Sequence, residues 1–276
     1  MARRLAQYTG PMPTLDIDGT ALAWDESGPS SAATPSVVLL HGLGARAGDW
    51  SLQIPALAGR YHVVAVDLPG HGRSALPRER LTIDGIASRV SALVSHVSTG
   101  PVHLVGLSLG GCVALALAAQ APERVRSLTL INAFARLRPA GPRAALRVLV
   151  RLALVAMAPM PVVAAHVARG LFPKREQRDL CERAVASLGA TPRASYVAGL
   201  RALARFDARA RLAAVRCPTL IVVGDRDATV PRSATEALRA GIVGALLVVV
   251  ADSGHATTHD QPETLNRALL EFLRTC

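Results

Sequence analysis

Residues 106–111 read G-L-S-L-G-G, between the apolar run P-V-H-L-V and the helix-forming C-V-A-L-A-L-A-A-Q-A. A strand that turns into a helix within two residues strains the backbone of the residue at the corner. Side chains two positions before and after that corner would crowd it. Gly106 and Gly110 remove the clash, and Gly111 lets the helix pack close. The corner residue is Ser108. Its hydroxyl is thrust outward, with the free N–H groups and positive end of a helix behind it. A serine hydroxyl is a poor nucleophile at neutral pH; it needs a base, and the base needs an acid to orient it. Two later stretches offer both. D-R-D-A-T-V-P (225–231) follows the apolar run P-T-L-I-V-V-G, and D-S-G-H-A-T-T-H (252–259) follows A-L-L-V-V-V-A. Serine, acid and histidine thus occur in that order, each at the carboxyl end of its own apolar run. This order and placement suit nucleophilic acyl transfer.

Within each stretch two residues compete. Asp227 lies further from its strand than Asp225 and precedes Thr229-Val230-Pro231, so it is preferred as the acid; Asp225 suits local N–H groups or a cation. His255 sits among glycine and threonines and is preferred as the base. His259, beside Asp260-Gln261-Pro262, reads as a residue near the start of the last helix. Two histidines four apart could bind a metal on a helix, but Gly254 and the threonines indicate a loop and no third ligand is evident, so no metal is expected. His62, His96, His103 and His166 have no partner pattern and read as packing or surface residues.

Acyl transfer builds negative charge on a carbonyl oxygen, which two preorganised N–H donors can stabilise. The backbone N–H of Leu109, directly after the serine, is one candidate. H-G-L-G (41–44), after V-V-L-L, offers the N–H of Leu43 as the other, its glycines letting the backbone turn.

The elements that position these residues alternate. T-L-D-I-D-G-T-A-L-A-W (14–24) reads as a hairpin turned at Asp18-Gly19. Strands are expected over 36–42, 61–70, 101–106, 127–132, 218–224 and 245–251, the last three reading as buried on both faces. Helical spacing covers 82–98, with Ile83, Ile86, Val90, Leu93, Val94 and Val97 on one face; further helices cover 111–120 and 262–274. Apolar strands alternating with helices predict a parallel sheet covered on both sides. Residues 133–212 contain no good strand, only helical runs and two Pro-rich breaks, too long for a loop. They predict a helical cap inserted into a core of 1–132 and 213–276.

Charge is concentrated in that insertion. Of 31 Lys+Arg and 20 Asp+Glu, residues 134–211 hold 15 and 4, and the remainder is balanced. Arg143, Arg147 and Arg151 are four apart and share one helix face amid long apolar stretches. Such a face reads as plain solvated surface, as a dock for an acidic partner, or as a grip on an anionic membrane surface. Nucleic acid is disfavoured because aromatics for stacking make up only 3%. No run of about 18 uncharged apolar residues occurs, and the N-terminal M-A-R-R-L-A-Q-Y-T-G-P does not read as a secretory signal. Cys112, Cys181, Cys217 and Cys276 form no C-x-x-C pair, as expected of reduced thiols in a cytoplasmic protein.

Taken together, H-G-L-G, Trp50, D-L-P-G-H-G-R-S (67–74), G-L-S-L-G-G, A-P-E-R-V (121–125), G-D-R-D-A-T-V-P (224–231) and S-G-H (253–255) followed by Q-P-E resemble the α/β-hydrolase superfamily over about 36–275. The resemblance implies an α/β-hydrolase fold: a mostly parallel eight-stranded sheet, helices on both faces, and the cap inserted after the sixth strand. It implies Ser108 as nucleophile, Asp227 as acid, His255 as base, and Leu43 and Leu109 as oxyanion donors. Some relatives place the acid after the sixth strand; here that position reads N-A-F (132–134), which favours Asp227. The expected reaction is hydrolysis of a carboxylic ester with a small or medium apolar acyl group, without cofactor. A lactone, a carbon–carbon bond or a carrier-borne ester or thioester are alternatives. Phe134, Arg143, Arg147 and Arg151 are the cap candidates for contact with substrate or partner.

Overall fold

The computed structural model describes residues 13–31, 33–139 and 141–276. The expectation for the N-terminal eleven residues therefore lies outside the described residues. Eight strands form one sheet: β1 (Thr14–Ile17), β2 (Thr20–Ser27), β3 (Ser36–Leu40), β4 (His62–Val66), β5 (Val102–Leu107), β6 (Val125–Ile131), β7 (Thr219–Gly224) and β8 (Leu246–Val250). Their spatial order is β1-β2-β4-β3-β5-β6-β7-β8. The strands from β3 to β8 all run parallel, while β1 and β2 pair antiparallel. The hairpin turns at Asp18-Gly19, both with positive φ (53° and 72°), the backbone a two-residue hairpin of this hand demands.

The helices are α1 (Ile54–Leu57), α2 (Ile83–Val97), α3 (Leu109–Gln120), α4 (Pro142–Met157), α5 (Met160–Leu171), α6 (Arg178–Gly189), α7 (Arg193–Arg205), α8 (Arg232–Gly241), α9 (Thr257–Asp260) and α10 (Pro262–Leu273). Alternate strand residues face opposite layers. Val38, Leu40, Val64, Leu104, Leu128 and Ile221 pack with α2, α3 and α8. Val37, Leu39, Val63, Val105 and Val222 pack with α1 and α10. The predicted stripe on α2 is buried at Ile83, Ile86, Val90, Leu93 and Val94, and the Thr82 hydroxyl caps the helix by accepting the Gly85 N–H at 3.0 Å. Helix α3 is buried on nearly all sides. A core of Ala, Val and Leu fills both layers despite the scarcity of aromatics.

The strand expected over 245–251 differs from its sequence reading. It was expected to be buried on both faces, but Leu246 and Val249 are exposed and only Val250 is buried. β8 is the outer edge of the sheet, so helices cover it incompletely. An apolar run alone does not report its place in the strand order.

Between Ile131 and Thr219 the described residues form helices α4–α7 and short 3₁₀ turns, without a strand. Val155, Val163, Ala164, Ala168, Leu188 and Tyr196 build a third apolar cluster there. The ends of this segment behave otherwise. Ala133, Phe134, Ala135, Ala202, Phe206 and Leu212 pack into the layer that holds α2 and α3. Leu43 touches both clusters and joins them. Among the described residues, no helix is long and apolar enough to cross a membrane.

Candidate active site

In a parallel sheet the loops that follow the strands gather at one edge. β3 and β5 are neighbours, with Leu40 beside Gly106, so the loop 41–44 runs next to the turn after β5. β6, β7 and β8 follow in order, and the loops after β7 and β8 face the same edge.

Ser108 stands between β5 and α3 with φ 51° and ψ −109°, a conformation that costs energy for any side-chain-bearing residue. The surroundings enforce it. A Cβ on Gly106 would run into the backbone of Gly110, and one on Gly110 would run into the carbonyl of Leu40 on the neighbouring strand. A Cβ on Gly111 would strike the Ala133 side chain. The helix starts at Leu109, two residues earlier than its sequence pattern indicated, because the corner itself supplies the first turn.

The Ser108 Oγ lies 2.9 Å from His255 Nε2, and His255 Nδ1 lies 2.8 Å from Asp227 Oδ2. A carboxylate can only accept, so Nδ1 carries the proton and Nε2 presents its lone pair to the serine O–H. The side chains of Asp227 and His255 are 1% and 12% exposed. Burial alone would push the Asp227 carboxyl up. The adjacent His255 and the N–H groups of Val230 and Thr229 more than offset this and hold it below the usual carboxylate range. Asp225, the competing acid, is exposed and accepts the Ser253 N–H at 3.2 Å. His259 lies within α9, its Nδ1 2.9 Å from the Thr258 hydroxyl and its ring edge-on to Phe172.

Leu109 is the first residue of α3, where backbone N–H groups lack a partner within the helix. Leu43 lies in the loop after β3. His41 anchors that loop: its Nε2 accepts the Leu68 N–H at 3.0 Å, and its Nδ1 donates to the Gly42 carbonyl at 2.8 Å. Asp67 anchors the far side, accepting the Ala47 N–H at 2.7 Å and the Arg73 Nε–H at 2.6 Å. The glycine of D-L-P-G-H-G that precedes Arg73 is required here, because a Cβ on Gly72, at φ +54°, would overlap the Asp67 carboxylate.

The cap candidates lie apart from one another. Phe134 is fully buried in the layer beneath α3, and its carbonyl accepts the Cys112 thiol. On α4, Arg147 donates to the Ala228 carbonyl at 3.0 Å, and Arg151 donates to the Tyr196 hydroxyl and lies over its ring. Two members of the arginine row thus have partners within the chain, while Arg143 and Arg147 are both exposed.

Two residues appear in the sequence analysis only as neighbours of others, Asn132 in N-A-F and Asp260 beside His259, without the contacts they make here. Asn132, directly after β6, is buried at φ 46°. Its Oδ1 accepts the Gly224 N–H at 3.0 Å, and its Nδ2 donates towards the carbonyls of His255 (2.8 Å) and Gly254 (3.2 Å) and the Thr257 hydroxyl (2.8 Å). One amide therefore ties the origin of the Asp227 loop to the His255 loop. Asp260 accepts the Gly254 N–H at 2.6 Å and the Ser253 hydroxyl at 2.7 Å, closing the same loop from behind. A polar residue at a strand end between two site-bearing strands was the available signal for Asn132. The short spacing of S-G-H-A-T-T-H-D was the signal for Asp260.

The sequence profile described as "Alpha/beta hydrolase family" matches residues 37–268. The chain is 33% identical over 277 residues to the "dihydrolipoyllysine-residue acetyltransferase component of acetoin cleaving system" of Pseudomonas putida, covering 97% of this chain and 71% of that protein. It is 31% identical to a pimeloyl-[acyl-carrier protein] methyl ester esterase of Methylococcus capsulatus, over 88% of this chain and 96% of that one. A crystal structure titled as a hydrolase from Pseudomonas aeruginosa superimposes with a TM-score of 0.86 at 31% identity, over 96% of this chain and 99% of the other.

Proposed function

Because this chain belongs to the alpha/beta hydrolase family, we propose that it cleaves a carboxylic ester of a small to medium apolar acyl group through an acyl-enzyme. The observation that carries the reading is the unbroken line of contacts from Ser108 through His255 to Asp227. His255 Nε2 takes the hydroxyl proton as Ser108 Oγ bonds to the ester carbonyl carbon. The buried Asp227 carboxylate holds the imidazole in the tautomer this transfer needs and stabilises the imidazolium that forms. Negative charge gathers on the former carbonyl oxygen, where the backbone N–H groups of Leu43 and Leu109 receive it. Each such donor contributes roughly 3 kcal/mol to the transition state in comparable sites. The imidazolium then protonates the departing alcohol oxygen, the C–O bond breaks, and the acyl group stays on Ser108. Water, deprotonated by His255, attacks the acyl-enzyme; the acid leaves and Ser108 regains its proton. Residues 133–212 serve as a cap that limits access of bulk water to the intermediate. Asn132 and Asp260 are positioning residues for the base.

The likeness to a methyl ester esterase supports an ester as the substrate class. Docking of an acidic carrier on the arginine row is the weaker reading, since Arg147 and Arg151 are held by Ala228 and Tyr196. A fluorophosphonate probe tests the mechanism: it should label wild-type protein at Ser108 and leave Ser108→Ala unlabelled. A panel of p-nitrophenyl esters, lactones and ring-fission diketones tests the bond. Turnover of short aliphatic esters is expected, and turnover of diketones or lactones alone would overturn the ester assignment.

A further inference from the structure

Helix α4 carries apolar residues on its outer side. Leu146 is 60% exposed, Leu149 63% and Met157 87%, with Val150 and Leu152 also exposed. At 100° per residue, Leu146, Leu149, Val150 and Met157 fall within an arc of about 100°. The inner side holds Val155, Leu154 and Arg151, which is tied to Tyr196; Arg147 reaches the Ala228 carbonyl from an exposed position. Arg143 borders the outer arc. The helix is thus amphipathic in an unusual sense: Arg151 lies inward, Arg143 and Arg147 stand exposed at one rim, and the aliphatic face looks outward. Exposed contiguous apolar surface of this kind marks an interaction site.

Two observations choose the occupant. The segment around this helix, residues 134–211, holds 15 basic and 4 acidic residues, so a partner must tolerate or prefer positive charge. That weighs against a second copy of the chain, whose like-charged segment would meet its own kind. The exposed side chains are all aliphatic on a convex helix, whereas protein hot spots favour aromatic anchors seated in pockets. We propose that the outer face of α4 inserts into the headgroup–acyl boundary of an anionic lipid surface, with Arg143 and the basic surroundings drawn to the phosphates. Arg147 fastens this helix to Ala228, next to Asp227, so the helix that docks lies beside the proposed catalytic loop.

The test uses the full chain and reads vesicle binding, so it stands whether or not the ester reading holds. Sedimentation is measured with vesicles of phosphatidylcholine mixed with phosphatidylglycerol, and with phosphatidylcholine alone. Wild-type protein should bind the anionic vesicles, bind the neutral ones far more weakly, and lose binding as salt rises. Leu146→Ser with Leu149→Ser should weaken binding by about tenfold or more, because these side chains supply the inserted area. Both are exposed, so the circular dichroism spectrum should be unchanged; Met157→Ser, at the other end of the stripe, should give a smaller loss in the same direction. Any of three results overturns the proposal: no binding to anionic vesicles, binding that the double variant retains, or a dimer that the double variant dissociates without vesicle binding.

Discussion

Replacing Asn132 by alanine is the sharpest perturbation of this site that leaves Ser108, His255 and Asp227 in place. The side chain makes one acceptor contact, from Gly224, and shares two N–H donors among three oxygens of the His255 loop. Removing it leaves the buried Gly224 N–H without that acceptor, a loss of about 1–3 kcal/mol. The two donated bonds contribute roughly another 1–2 kcal/mol. Alanine also tolerates the φ of 46° less well than asparagine, adding about 1 kcal/mol. The sum is roughly 3–6 kcal/mol, and the unfolding temperature should fall by about 6–24 °C for a domain of this size. The effect on turnover comes from freeing the His255 loop. A displacement on the order of 1 Å can cost about 100-fold in kcat. Denaturant unfolding and ester kinetics on the same preparation measure both. Asn132→Gly separates the causes: it removes the strain but none of the missing bonds, so it should recover only about 1 kcal/mol. If Asn132→Ala unfolds within about 1 kcal/mol of wild type and keeps its kcat, the amide does not couple the two loops and the reasoning fails.

The acid assignment predicts an asymmetry between neighbours: Asp227→Asn should lower kcat by about 10⁴-fold, while Asp225→Asn should change it by less than about tenfold. Equal losses in steady-state ester hydrolysis would return Asp225 to contention. Acid should also destabilise the protein through two histidines outside the site. Burial pushes His71 and His103 from 6.5 down to about 4, with neighbouring His41 and Arg126 adding to the effect, respectively. Below pH 6.5 the unfolded chain therefore binds protons that the folded chain refuses, so stability falls as pH drops towards 4, by about 3 kcal/mol per histidine at the limit. The depressed Asp227 carboxyl acts in the same direction at lower pH, its contribution being present above the ordinary carboxylate range and lost as it protonates. Thermal unfolding followed from pH 7 to pH 4 should show a steady fall in Tm, and a flat profile would contradict the burial of these rings.

Much of the centre was legible in the chain itself. G-L-S-L-G-G encodes its corner because sterics at Gly106 and Gly110 are local consequences of a sharp turn, and the turn is the same in any surroundings. The order serine, acid, histidine was readable because parallel strands deliver their loops to one edge whatever their spatial sequence. Tertiary structure decided what depends on neighbours distant in sequence. Whether Asp225 or Asp227 faces the imidazole depends on a loop 28 residues further on. The clamp at Asn132 exists only because β6 lies between β5 and β7. β8 is exposed because it is the last strand in the sheet, a fact its composition does not carry. Arg151 of α4 turned inward, and Leu146 and Leu149 outward, because the helix packs Val155 and Arg151 against Tyr196. Periodicity determines that a helix has two faces; only the packing of the rest of the chain decides which of them meets water.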